Sequence, residues 1–175
     1  MKTVSKIAEI REIVSQWKSQ NKSVGLVPTM GFLHDGHGSL IKKAVEENDV
    51  VIVSNFVNPT QFSANEDLDS YPRNLEADYE LCKNLGADLM FTPAPEEMYD
   101  NPLTFVDIGL LSDELCGKSR PTHFRGVYSH GGGEHSFPKG GAGGAEAGAG
   151  EGFPVGKHEA CGGAVVCHGG TFRCV

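Results

Sequence analysis

Long apolar runs are missing from this 175-residue sequence. No stretch approaches the roughly 18 residues of a membrane span, and Met1-Lys2-Thr3-Val4-Ser5-Lys6 leads into an amphipathic pattern without the apolar core of a signal peptide. A cytoplasmic protein with no membrane partner is expected. Basic residues are few, 15 Lys and Arg against 23 Asp and Glu for a formal charge of −8. Nucleic acid is therefore not an expected partner, and any phosphate ligand has to be held locally. Cysteine is scarce and poorly spaced. Cys82, Cys116, Cys161, Cys167 and Cys174 form an odd set with no C-x-x-C pair, which argues against a disulfide framework and gives little support to zinc. His158 and His168 lie near the last three, but no chelating pair results, and no metal site is expected. Cys82 and Cys116 read as small hydrophobes in helical positions.

The shortages are not uniform. The last 45 residues contain no Leu, Ile, Met or Trp and hold 15 of the 23 glycines. Such a stretch buries too little apolar surface to offset the entropy of ordering its backbone. Residues 128–175 are expected to be a disordered, glycine-rich, low-complexity tail.

The front portion has regular grammar. Residues 5–20 have helical spacing, with Ile7, Ile10, Val14 and Trp17 on one face and Ser5 as candidate cap. Residues 24–27 read as a buried strand, 35–47 as a helix with Leu40, Ile41 and Ala44 inward, and 49–53 as a strand covered on both faces. Residues 73–85 are helical up to Gly86, and 88–92 form a third strand. Beyond a loop with one helical turn, a short strand over 104–108 and a short helix over 111–116, closed by Gly117, are expected. The βαβαβ order predicts an α/β fold on a doubly wound parallel sheet.

In such sheets ligands sit at the carboxyl ends of strands. The first buried strand delivers Pro28-Thr29-Met30-Gly31-Phe32-Leu33-His34-Asp35-Gly36-His37 to that edge. Two imidazoles three residues apart, at the start of a helix, share a space with the free N–H groups of its first turn, an arrangement that accepts phosphate. Glycines let a ligand approach the backbone, the helix dipole favours negative charge, and imidazole donors stabilise charge developing on a phosphate. The competing readings are two polar residues at a helix start, or two ligands of a metal site.

Five motifs occur in order: Leu26-Val27-Pro28-Thr29-Met30-Gly31; His34-Asp35-Gly36-His37; Phe56-Val57-Asn58-Pro59-Thr60-Gln61-Phe62; Asp67 through Tyr71-Pro72-Arg73; and, after Glu97-Met98-Tyr99, Ser119-Arg120-Pro121-Thr122-His123-Phe124-Arg125-Gly126-Val127. Over residues 1–127 the chain resembles the pantothenate synthetases, the pantoate–β-alanine ligases of the nucleotidylyltransferase superfamily. The resemblance implies a Rossmann-like ATP- and pantoate-binding domain over 1–127, incomplete at its end. It also implies two-step chemistry. Pantoate carboxylate attacks the α-phosphate of ATP, carried with Mg2+, to give pantoyl adenylate and pyrophosphate; the amine of β-alanine then displaces AMP. Carried over by position, Met30, Gly31, Phe32, Leu33, His34, Asp35, Gly36 and His37 line the ATP site, with His34 and His37 catalytic at the phosphates and His37 the principal donor. Gln61 holds pantoate and then β-alanine, Asn58 shapes its loop, and Tyr71, Arg73 and Arg125 line or support the cavity. A homodimer is implied as well.

Several family features have no counterpart here. The glycine-rich Lys-Asp motif with its nearby Gln and the Ser-Ser-Arg loop are absent after Val127. The expectation is a ligase by descent that is inactive in this form, or alternatively a non-catalytic nucleotide- or pantoate-binding remnant or dimer partner. The abrupt switch of composition near residue 128 is what translation in another reading frame would produce; a genuine glycine-rich tail is the rival. Gly38 and Asn55 stand where the family usually has apolar residues, and Asn55 at a strand end needs hydrogen-bond partners if buried.

Overall fold

The computed structural model describes residues 1–62, 66, 68–99, 116–127, 165–168 and 171–174. Four parallel strands form its centre: β1 (Lys2–Val4), β2 (Val24–Thr29), β3 (Val50–Asn55) and β4 (Leu89–Phe91). They lie in the order β1-β4-β3-β2. Helix α1 (Ile7–Ser19) connects β1 to β2, α2 (Asp35–Glu47) connects β2 to β3, and α3 (Leu75–Asn84) connects β3 to β4. Two short helices follow, α4 (Pro95–Met98) and α5 (Cys116–Ser119), and residues 123–127 are again helical.

Side-chain alternation along β3 sorts the core into two layers. Val51 and Val53 pack with Ile41 and Ala44 of α2 and Cys82 of α3. Ile52 faces the other way, with Ile10 and Val14 of α1, Val4 and Phe91. Helices therefore cover both faces, and the doubly wound parallel sheet read from the sequence is the observed one. Ile10, Ile41, Val51, Val53, Leu89, Met90 and Phe91 are each at most 1% exposed. Burying such a side chain contributes roughly 1.5–3 kcal/mol, so these two layers supply most of the driving force for folding.

Several boundaries depart from the sequence reading. β1 carries no signal of its own; its three residues are ordered by parallel pairing to Leu89, Met90 and Phe91. Ser5 does not cap α1. The N-cap is Lys6, whose side chain makes no cap, and the Glu97 carboxylate accepts from Ile7 N–H at 2.9 Å and from Lys6 Nζ at 2.8 Å. Gly117 does not close a helix over 111–116 but lies inside α5. Residues 104–108 and 111–115 lie outside the described residues. Gly86, by contrast, ends α3 as expected, at φ +91°.

In the glycine-rich segment, β5 (Val165–His168) and β6 (Thr171–Cys174) pair as an antiparallel hairpin, and β5 lies antiparallel against Gly25 and Leu26 of β2. The local reason is legible: Val165-Val166-Cys167 and Thr171-Phe172-Arg173 are strand formers flanking Gly169-Gly170, a two-residue hairpin signal. Residues 128–164 lie outside the described residues.

Candidate functional site

β2 and β3 end side by side, tied by Phe56 N–H to Thr29 carbonyl at 3.1 Å and Thr29 Oγ1 to Ser54 carbonyl at 2.8 Å. From β2 the chain turns through Gly31 and Phe32, both left-handed at φ +78° and +52°. Gly31 has no room for a side chain, since a Cβ would lie 2.5 Å from Asn55 Oδ1 and 3.2 Å from Asp78 Oδ2. Phe32, not a glycine, carries strain in the same conformation.

The group that holds this turn is Asp78, 3% exposed on α3. Its carboxylate accepts from Phe32 N–H at 2.9 Å, Leu33 N–H at 2.7 Å and Asn55 Nδ2 at 2.8 Å. Asn55 thus has its partner. In the sequence Asp78 reads only as one position of a helical pattern, yet a signal is there. Leu75, Asp78, Cys82 and Leu85 recur at three- and four-residue steps, so an acid falls in the row that supplies buried Cys82. Burial pushes the Cys82 thiol up to about 12, with the Asp78 charge adding to it, which makes Cys82 inert.

Held in this way, the turn sets His34 as the N-cap of α2. His34 Nδ1 accepts from Gly36 N–H at 3.1 Å, and His37 Nδ1 accepts from His34 N–H at 3.4 Å, a capping box built from two imidazoles. The rings lie 4.2 Å apart between centroids. Because Nδ1 accepts in both, the neutral rings carry their protons on Nε2, as donors. Burial, then the neighbouring His34, lowers the His37 pKa, partly offset by Asp78, so its neutral form prevails at pH 7. Among the described residues the N–H of Asp35 makes no hydrogen bond, which leaves the first turn with a free donor. Met30 is half-buried, Leu33 packs against the core, Asp35 and Gly36 are exposed, and Phe32 is 53% exposed. The structure thus brings the eight predicted residues 30–37 together. Gly38, one step along, is buried with Leu85 Cδ1 3.3 Å from where a Cβ would stand.

Gln61 ends a 3-10 turn, Pro59–Gln61, that follows β3 at the same sheet edge. It is 8% exposed, and its side-chain amide makes no hydrogen bond among the described residues. Asn58, fully buried, shapes the turn as expected. Its Oδ1 accepts from Thr60 N–H, Thr60 Oγ1 and Tyr99 OH, and its Nδ2 donates to Gly126 carbonyl at 3.2 Å. Tyr71 meets Phe62 edge-on at 5.7 Å. Arg73 donates to the carbonyls of Leu68, Asp69 and Tyr71 and so braces the loop. Arg125 is exposed. An open, mostly apolar groove of about 470 Å³, lined by Thr3, Leu75, Glu76, Tyr79, Glu80 and Met90, contains none of these residues. Its two glutamates disfavour phosphate. Among the described residues no group of three or more His, Cys, Asp or Glu is placed to hold a metal ion, and no helix is long and apolar enough to cross a membrane.

Parallel strands between helices, with a left-handed turn, a helix N-terminus and two imidazole donors at the strands' carboxyl edge, define an open α/β protein suited to an anion there. Comparison with known proteins narrows the class. A family model described as Pantoate-beta-alanine ligase matches residues 2–129, and the chain belongs to that family. Pantothenate synthetase of Ruminiclostridium cellulolyticum is 59% identical over 128 residues, 73% of this chain and 45% of that protein. That of Enterococcus faecalis is 60% identical over 122 residues, 69% of this chain and 43% of that protein. The crystal structure of pantothenate synthetase from Thermus thermophilus superposes with TM-score 0.72 at 42% identity, covering 78% of this chain and 49% of that one. A pantoate-beta-alanine ligase from Francisella tularensis, complexed with beta-gamma ATP and beta-alanine, gives TM-score 0.74 at 41% identity, covering 78% and 53%. The chain spans about half the length of the relatives it matches.

Proposed function

We propose that residues 1–127 form the ATP- and pantoate-binding part of a pantoate–β-alanine ligase that works through a pantoyl adenylate. The observation that carries this reading is the His34/His37 pair, each ring turned by its Nδ1 bond so that Nε2–H is its donor, at the N-terminus of the 13-residue helix α2. ATP phosphates fit there: a free backbone N–H, the positive end of a helix dipole and two neutral donors supply charge stabilisation without a counter-charge. Pantoate carboxylate attacks the α-phosphate and pyrophosphate leaves. His37 and His34 donate to the phosphate oxygens as charge builds in that step. The amine of β-alanine then attacks the acyl carbon, and AMP leaves with the bond electrons. Gln61 offers an amide donor and an acceptor to the small hydroxy acid, and then to β-alanine. Positioning and electrostatics supply most of the rate.

Mg2+ enters with the nucleotide phosphates. The described residues offer no carboxylate cluster for it, so no residue here is assigned to it. A homodimer and a cytoplasmic location belong to the same reading.

The second reading, binding without turnover, rests on residues 128–175, which carry neither a Lys-Asp nor a Ser-Ser-Arg motif. With fewer groups on the triphosphate, adenylation by this chain is expected to be slow or absent. Pantoate-dependent exchange of labelled pyrophosphate into ATP separates the two, with His37→Ala as control. Exchange near background from a folded chain that binds both ligands fits the second reading. Brisk exchange, abolished by His37→Ala, establishes that this segment suffices for adenylation. No binding of ATP at all refutes both.

A further inference from the structure

The segment from Ser119 to Val127 packs on the Gln61 turn. The Gln61 carbonyl is the last of that 3-10 turn and has no partner inside it. Two side chains from the later segment meet it: Arg120 Nη2 donates at 3.2 Å, and His123 Nδ1 lies at 3.1 Å. A carbonyl only accepts, so His123 carries its proton on Nδ1, the opposite tautomer to His34 and His37. Arg120 also pairs through Nε with Glu66 and lies 5.9 Å from the Phe62 ring centroid. Three residues beyond His123, the backbone of Gly126 rests on the same turn. Its carbonyl accepts from Asn58 Nδ2 and Thr60 Oγ1, and a Cβ there would collide with the Thr60 carbonyl. The Gln61 backbone is thus held from outside, while its side-chain amide makes no hydrogen bond among the described residues.

We propose that Arg120 and His123 are positioning residues that fix the Gln61 carbonyl and thereby aim its side-chain amide at the small hydroxy-acid substrate. The proposal rests on the functional reading above. Neither residue touches the substrate. They set the plane of the Gln61–Phe62 peptide. The turn's own bonds, Gln61 N–H to Asn58 carbonyl at 3.3 Å and Phe62 N–H to Pro59 carbonyl at 3.2 Å, are only two and leave the Gln61 carbonyl to the Arg120 and His123 side chains.

The test uses the 175-residue chain and its variants His123→Ala, His123→Asn, whose amide nitrogen stands where Nδ1 does, and Arg120→Lys. Pantoate and ATP affinities are measured by calorimetric titration, and amide exchange over residues 58–62 by mass spectrometry. His123→Ala is expected to weaken pantoate roughly tenfold, equivalent to about 1.4 kcal/mol. ATP affinity stays within twofold, exchange at Gln61 and Phe62 quickens, and His123→Asn recovers most of the loss. Arg120→Lys, which keeps the charge but not the fork, shows the same selective loss. Unchanged pantoate affinity in His123→Ala, or unchanged exchange in the turn, overturns the proposal. Equal loss of both affinities with no rescue by His123→Asn also overturns it, because the residue then holds the fold rather than the turn. A wild-type chain that binds neither ligand refutes the functional reading instead; the exchange comparison then decides the clamp by itself.

Discussion

Replacing Asp78 by Asn isolates the contact on which the site's geometry depends. The carboxylate takes Leu33 N–H on Oδ1, and Phe32 N–H together with Asn55 Nδ2 on Oδ2. An amide of the same shape has one acceptor oxygen. Placed toward Phe32 and Asn55, it turns an NH2 group against Leu33 N–H and converts an attraction into a donor–donor conflict. A hydrogen bond to a charged acceptor is worth about 1.5–3 kcal/mol, and a buried donor left unpaired costs about 1–3 kcal/mol. The Leu33 N–H bond is part-buried and the oxygen keeps Phe32 and Asn55, so a destabilisation of about 2 kcal/mol is expected for Asp78→Asn, and about 2–4 kcal/mol for Asp78→Ala, which removes all three bonds. Either is survivable for a domain of ordinary stability, about 5–15 kcal/mol. The larger consequence is local: Leu33 loses the bond that anchors the exit of the left-handed turn, and the helix start that carries His34 and His37 is no longer fixed. ATP affinity is predicted to fall at least tenfold, by more than the loss of global stability explains in a chain that is still folded. Denaturant titration and calorimetric ATP titration on wild type and Asp78→Asn provide the check. A variant with unchanged midpoint and unchanged ATP affinity refutes the clamp.

Other outcomes follow from the same contacts. The lowered pKa of His37 means that the unfolded chain takes up the proton first, near pH 6.5. Stability therefore falls as pH drops from there towards the folded pKa and levels off below it; melting temperatures against pH should show this slope in wild type and lose it in His37→Gln. Gly31→Ala forces a Cβ against Asn55 Oδ1 at positive φ, at a cost of about 1–3 kcal/mol. Adding Asn55→Ala should recover the steric part, giving less than additive loss in denaturant titration. The Cys82 thiol, pushed up to about 12, should resist alkylation at pH 8 in the folded chain and react on unfolding, as read by peptide mapping; fast labelling of Cys82 in the native state would contradict its placement in the core.

The parts of this fold that are legible in the sequence are those whose signal is local. Helix α2 starts and stops where the His-Asp-Gly-His opening and the Leu40, Ile41, Ala44 spacing put it. The run Val50 to Val53 is buried throughout, as a strand covered on both faces requires. What escapes depends on residues distant in the chain. β1 exists because β4 pairs with it, and α1 is capped by a carboxylate 90 residues away. In the tail, a glycine count masks a short Val-Val-Cys/Thr-Phe-Arg alternation across Gly-Gly. The site divides in the same way. The His34/His37 pair announces itself by spacing at a helix start. Gln61 stands out only through the family motif. Asp78 and His123 act on backbone groups that no local pattern connects to them.

The proposed function requires His34 and His37 to hold ATP phosphate through Nε2–H, with Nδ1 engaged by the backbone. Long-range 1H–15N spectra of the two rings at pH 7, recorded through an ATP titration, test this most directly. Nε2-protonated, neutral rings are predicted in the free chain, with saturable shifts at both Nε2 nitrogens on adding ATP that are absent for an equal concentration of adenosine. Rings protonated on Nδ1, or rings that do not respond while ATP binds elsewhere, would contradict it.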